Sequence, residues 1–99
     1  MTAKLVAAAL ALAAAAAYAQ DNPVARSLAA TCASCHGTEG RSVTQEVPSL
    51  AGLPKEQLVA QMKAFRDGTR PATVMHQLAK GYSEAQVELM ADYFSRRSR

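Results

Sequence analysis

Tryptophan is absent from these 99 residues, phenylalanine occurs twice and tyrosine three times. So few flat rings offer no platform for stacked bases, and no basic cluster precedes the closing Arg96-Arg97-Ser98-Arg99. Nucleic-acid binding therefore lacks both of its usual supports, and the tail reads as a solvated helix end whose cations complement the helix dipole. Cysteine also occurs only twice, too few for a disulfide scaffold. The two histidines, His36 and His76, are too few to complete a tetrahedral zinc site without carboxylates or a second chain. No convincing strand pattern occurs after residue 20, and no glycine-rich dinucleotide-binding turn is found. What remains is an all-α chain with few reactive groups.

The front of the chain has the pattern of an export signal. Lys4 gives a positive start, Leu5 to Ala17 is an alanine-rich apolar run, and Ala17-Tyr18-Ala19 has small residues where a signal peptidase cuts. The run is shorter than the roughly 20 residues that span a bilayer. The expected division is thus a signal peptide over 1–19, helical by its alanine content, and one domain over 20–99 beginning at Gln20. That domain is expected to be exported to the periplasm, with no membrane span after cleavage. It carries ten basic and eight acidic residues. At 80 residues its apolar core is marginal without help.

Help is suggested by Cys32-Ala33-Ser34-Cys35-His36. Residues i and i+3 share a helix face, so both sulfurs can reach the vinyl groups of one porphyrin, and the adjoining imidazole lies under the iron. This spacing is read as attachment of one covalent haem c, with His36 as a metal ligand. A redox dithiol is the main alternative, but it calls for a strand entering the motif. A disulfide across two residues is strained and leaves the adjacent histidine unexplained.

The rest of the domain arranges itself around this motif. Asn22-Pro23 caps and opens a helix, with Val24, Leu28 and Cys32 as its apolar stripe and Ala25, Ala29 and Ala30 small enough for another helix to approach. The helix is expected to end at the motif, with Gly37 as a left-handed cap. Residues 37–54 read as a loop long enough to need a reason, such as wrapping a cofactor edge. Lys55 to Arg66 forms an amphipathic helix with Leu58, Met62 and Phe65 on one face, between Pro54 and Gly68. Residues 72–81 mix loop with a helical turn. Ser83 and Gln86 form a capping box, Tyr82 and Val87 a hydrophobic staple, and Met90, Ala91, Tyr93 and Phe94 the buried side of the last helix.

His36 leaves one iron position to fill, and the candidates are Met62, Met75, Met90, His76 or none. Met62 and Met90 fall on apolar helix faces, where methionine is ordinarily packing. Met75 lies in an irregular segment able to close over the distal face, with Val74 and Leu78 to exclude water. His76 is its neighbour and competitor, although a lone histidine there is ordinarily a surface residue. A thioether opposite histidine raises the reduction potential and closes the iron to oxygen, whereas an open position would suit an enzyme or gas sensor.

Three segments carry a family resemblance: Cys32 to Gly40, Val47-Pro48-Ser49-Leu50-Ala51-Gly52, and Thr73-Val74-Met75 leading into Ala79-Lys80-Gly81-Tyr82-Ser83. Over nearly all of residues 20–99 the chain resembles the small class I cytochromes c, and within them the cytochrome subunits of flavocytochrome c sulfide dehydrogenases. The resemblance implies helices packed around one covalent haem, with thioether bonds at Cys32 and Cys35 and with His36 and Met75 as iron ligands. It further implies a Pro48 carbonyl that accepts the His36 ring N–H, Leu50 against the haem, and Tyr93 and Phe94 against the helix face around Ala29. Gln57 and Met90 depart from the tyrosine and leucine common in such proteins. The implied role is non-catalytic electron transfer, with electrons received singly from a sulfide-oxidising flavoprotein. A freely diffusing shuttle is the alternative. Lys55, Lys63, Arg66, Arg70 and Lys80 are the candidate basic rim for an acidic partner.

If the haem centres the core, a Cys32→Ser, Cys35→Ser double variant is expected to lose most of its helical circular dichroism and its cooperative melt. Native-like helix content with cooperative unfolding would sink the idea.

Overall fold

Alanine has the highest helix propensity, and the alanine-rich front of the chain is accordingly helical. A computed structural model describes residues 2–19 and 21–99, with the backbone alone for 11–19. Helix α1 spans Thr2–Ala19, and Gln20, the expected start after processing, lies outside the described residues. Among the described residues no helix is long and apolar enough to cross a membrane, and no strand occurs.

Helix α2, Pro23–Ala30, opens as its sequence dictates. The Asn22 side chain accepts from the N–H groups of Val24 and Ala25 at 2.9 and 3.2 Å, and proline occupies the first turn, where its missing donor costs nothing. The buried face is not the expected stripe. Val24 is 58% exposed, while Ala25 and Ala29 are each only 3% exposed. Their small side chains let helix α6 approach, and the large residues at that contact come from α6. Leu28 and Cys32 are half-buried against the same core, and Ala30 is exposed.

The helix breaks just before the motif instead of running into it. At Thr31 and Cys32 the backbone switches to i→i−3 bonds, onto Leu28 at 3.2 Å and Ala29 at 3.0 Å, and the Thr31 hydroxyl donates to the Leu28 carbonyl at 2.7 Å. Regular pairing resumes with His36 N–H on Cys32 at 2.9 Å, so the motif forms its own turn, α3, Ala33–His36. Gly37 ends it at φ 85°, ψ 166°, a mirror-extended conformation rather than the expected left-handed cap. A Cβ there would lie 1.8 Å from the Arg41 carbonyl oxygen.

A short 3-10 turn, Thr38–Gly40, begins the long connection. Helix α4 covers Lys55–Asp67 and ends on Gly68 in the left-handed conformation. Helix α5, Met75–Ala79, is a little over one turn. Helix α6, Glu84–Ser95, has the complete capping box, Ser83 N–H to Gln86 at 2.9 Å and Gln86 N–H to the Ser83 hydroxyl at 3.1 Å. Val87 is in the core and Tyr82 is packed against it. The core is Ala25, Ala29, Leu58, Val87, Met90, Ala91, Tyr93 and Phe94, with Tyr93 and Phe94 edge-on to each other at 5.5 Å. It joins α2 to α6 and α6 to α4, and α5 packs on α4.

Two expectations about charge are corrected. Arg97 is no solvated tail residue. It pairs with Asp21, donates to the Tyr93 carbonyl at 3.2 Å, and holds its guanidinium 4.3 Å from the centre of the Tyr93 ring. Its side chain is 16% exposed, and the Asp21 hydrogen bond raises its pKa further above the usual arginine value. The basic rim is also thinner than expected. Lys55 pairs with Glu88 at 3.1 Å, which raises the lysine's pKa. Arg66 donates to the Tyr82 carbonyl, and Arg70 stacks on Phe65 at 4.7 Å. Only Lys63 and Lys80 of the five keep neither an ion pair nor a stacking or hydrogen-bond partner among the described residues.

Arg97 ties the start of α2 to the end of α6, so Arg97→Ala is expected to cost about 0.7–2 kcal/mol, from a cation–π contact of about 0.5–1 and an ion pair of about 0.2–1. Arg97→Lys keeps the charge but not the planar stack and recovers only part of this. A thermal melt of the alanine variant at the parental temperature would refute the clamp.

Candidate functional site

The chemistry is concentrated where α3 meets the long connection. Cys32 caps α3, Cys35 and His36 lie within it, and the two cysteines form no disulfide. Burial pushes the Cys32 thiol up; its Thr31 hydroxyl contact at 3.9 Å pulls it down, and Cys35 adds a smaller upward push. A dithiol oxidoreductase needs the opposite, a thiol lowered toward neutrality. That direction argues against Cys32 as an exchanging thiol.

His36 is buried. Its Nδ1 lies 2.7 Å from the Pro48 carbonyl oxygen, the only hydrogen bond to the ring among the described residues. With a carbonyl as partner, Nδ1 must carry the proton and donate it, so Nε2 is the nitrogen left with a lone pair for a metal. Pro48 reaches the ring because the connection folds back on the motif. The Gly40 carbonyl accepts from Leu50 N–H at 2.7 Å and Ala51 N–H at 3.1 Å, and Gly52 N–H donates to the Phe94 carbonyl at 2.9 Å. Gly40 adopts φ 77°, and a Cβ on it would come within 2.8 Å of the Phe94 ring. That position admits only glycine because the connection passes directly over α6.

Leu50 is half-buried and joins Leu28, Cys32, Leu53, Val59 and Met62 in a half-buried apolar fringe on the core. No large side chain among the described residues is wholly enclosed. A core of alanines and helix-end aromatics, fringed by half-buried aliphatic groups beside two thiols and an oriented imidazole, fits a flat apolar macrocycle. Cys32 and Cys35 would bond it, and His36 Nε2 would face its metal.

Met75 and His76, the candidates for the other side of the metal, are the first two residues of α5, both half-buried. Successive helical residues point about 100° apart, so they cannot address the same point. His76 is less exposed than expected, and its Nδ1 is buried without a hydrogen-bond partner. Val74 and Leu78, expected to exclude water, are 54% and 51% exposed. Met90 is in the core, and Met62 lines a groove between α4 and α6 with Val59, Ala79 and Val87. Both are occupied in packing. The contact between Ser42 and Ser49 that closes the connection has no counterpart among the sequence expectations, because such pairings leave no periodic signal.

These features define a class of covalent-haem electron-transfer proteins with a helical fold. The cytochrome c family model matches residues 23–96, and the chain belongs to that family, which implies covalently bound haem c; Cys32 and Cys35 fit its attachment motif. It is 39% identical over 72 residues to the "Cytochrome subunit of sulfide dehydrogenase" of Chlorobaculum tepidum, across 73% of this chain and 64% of that protein. It is 44% identical over 69 residues to the "Thiosulfate dehydrogenase electron acceptor" of Thiomonas intermedia, across 69% of this chain and 32% of that protein. The solved cytochrome c4 of Acidithiobacillus ferrooxidans superposes with a TM-score of 0.66 at 30% identity, covering 76% of this chain and 50% of that one. The chain thus spans less than two thirds of the length of these relatives. It has the class I cytochrome c fold and the electron-transfer function of the family.

Proposed function

We propose that the chain is an exported, periplasmic one-haem subunit that receives single electrons from a sulfide-oxidising flavoprotein, with His36 and Met75 as the two iron ligands. When bound, haem c supplies a one-electron couple. His36 would hold the metal from the proximal side, its Nδ1 proton kept by Pro48 at 2.7 Å. Met75 is favoured opposite it because Met62 and Met90 are occupied in packing. Leu50 would lie against the ring, among the half-buried residues beside Cys32.

The flavoprotein role rests on the likeness to the Chlorobaculum tepidum sulfide dehydrogenase subunit. Processing after Ala19 belongs to the same reading, and it accords with a family match that begins at residue 23. A freely diffusing shuttle is the second reading. It is favoured by the thin basic rim, since Lys55, Arg66 and Arg70 are engaged within the chain.

Met75→Ala is expected to abolish the long-wavelength sulfur-to-iron charge-transfer band of the ferric protein and to lower its reduction potential, while Met62→Leu and Met90→Leu keep the band. A band that survives in Met75→Ala rules out this ligand. For the partner, affinity purification of the tagged holoprotein from its host is expected to bring down a flavin-containing protein, and sulfide should then reduce the haem. A holoprotein recovered alone and inert to sulfide supports the shuttle.

A further inference from the structure

A proline has no N–H, so the carbonyl that meets His36 belongs to a residue that cannot be held by its own backbone donor. The Pro48 carbonyl oxygen instead shares a rigid peptide plane with the nitrogen and Cα of Ser49. Whatever fixes Ser49 therefore fixes the direction of that carbonyl. The Ser49 hydroxyl accepts the N–H of Ser42 at 2.9 Å, across the mouth of the connection. Upstream, the nearest support is the weaker bond from Val47 N–H to the Thr44 hydroxyl at 3.4 Å. Downstream, Leu50 and Ala51 hold on Gly40. The Ser42 end is itself fixed, since its hydroxyl donates to the Thr44 carbonyl at 3.0 Å and accepts the Thr44 N–H at 3.3 Å.

We propose that Ser49 is a positioning residue for electron transfer: by clamping Ser42 it aims the Pro48 carbonyl at His36 Nδ1 and so sets how strongly the imidazole donates to the iron. The proposal rests on the reading of His36 as an iron ligand. An imidazole whose N–H is well held is the stronger donor, which favours the ferric state. Loosening the carbonyl weakens that donation and raises the reduction potential. Ser49 is exposed, so water can replace its hydroxyl and the fold survives its loss; what changes is the aim of the carbonyl.

The test uses the haem-loaded full chain. Ser49→Ala is expected to shift the midpoint potential positive and to speed exchange of the His36 Nδ1 proton, monitored by proton NMR, by up to about tenfold, the factor by which losing the net stabilisation of one hydrogen bond shifts an opening equilibrium. Ser49→Thr keeps the hydroxyl and is expected to hold both at parental values. A Ser49→Ala protein with a lowered melting temperature but parental potential and exchange overturns the proposal and leaves the serine a loop-stabilising residue only. Should the alanine variant fail to mature, the isosteric pair Ser49→Val and Ser49→Thr reads the same hydroxyl. The ligand reading fails separately: a His36→Ala protein with the parental ferric spectrum would overturn both.

Discussion

The alanine face of α2 lets the aromatic end of α6 come close enough to govern the long connection between them. Because Ala25 and Ala29 occupy little space, Tyr93 and Phe94 pack into the same cluster, and Phe94 then reaches the connection twice. Its ring lies against Gly40, and its carbonyl accepts from Gly52. The two ends of the segment that carries Pro48 are thus both referred to one residue of α6. The His36–Pro48 bond depends on this crossing, which carries the Pro48 segment back over the motif. Larger residues on the α2 face would move α6 away, and the ring nitrogen would lose its carbonyl before the motif itself was disturbed.

The two ends of the domain reinforce the same crossing by electrostatics. Asp21 precedes α2 and Arg97 lies just beyond α6, and their pair is set over the Tyr93 ring. Arg41 adds a second tie to the tail by donating to the Ser98 carbonyl at 2.9 Å while pairing with Glu39 at 2.7 Å. Glu39 is the only non-glycine residue at positive φ among the described residues, inside the turn closed by Arg41 N–H on the Thr38 carbonyl at 3.1 Å. For a core with so few large buried side chains, ties between chain ends matter more than they would in a larger domain, where burial alone dominates.

Local signals in the sequence are the legible ones. The Asn22-Pro23 start, the Ser83–Gln86 box and the Gly68 stop each depend on residues within one turn of one another, and each forms as written. The contiguous Cys32, Cys35 and His36 are legible for the same reason, whereas Pro48 comes into view only through a family resemblance. The buried side of α2 is misjudged from sequence because Val24 is more apolar than Ala25, while burial there is decided by the bulk of α6, which a periodicity argument does not see. Arg97 escapes a local reading because its partner is 76 residues away. Lys55 looks like a solvent-facing cation for a similar reason, since its partner Glu88 lies on another helix.

The same distinction separates the two proposed iron ligands. His36 is embedded in a turn whose backbone bonds run to Cys32 and Ala33, and its ring partner belongs to a segment tied by the Gly40 and Phe94 contacts. Met75, in contrast, opens α5, which is five residues long; its N-cap Val74 makes no side-chain cap bond, and both Val74 and Leu78 are exposed. A helix this short has no independent stability. It is held by packing on α4 and by the Tyr82 segment just after it, where Arg66 of α4 donates to the Tyr82 carbonyl and the Tyr82 hydroxyl meets the Thr31 hydroxyl at 2.7 Å. Tyr82 therefore connects the end of α2, beside Cys32, to the segment that carries Met75. His36 is placed by local backbone geometry, and the Met75 segment by tertiary contacts that converge on one tyrosine. Destabilisation of the fold will therefore reach Met75 before it reaches His36.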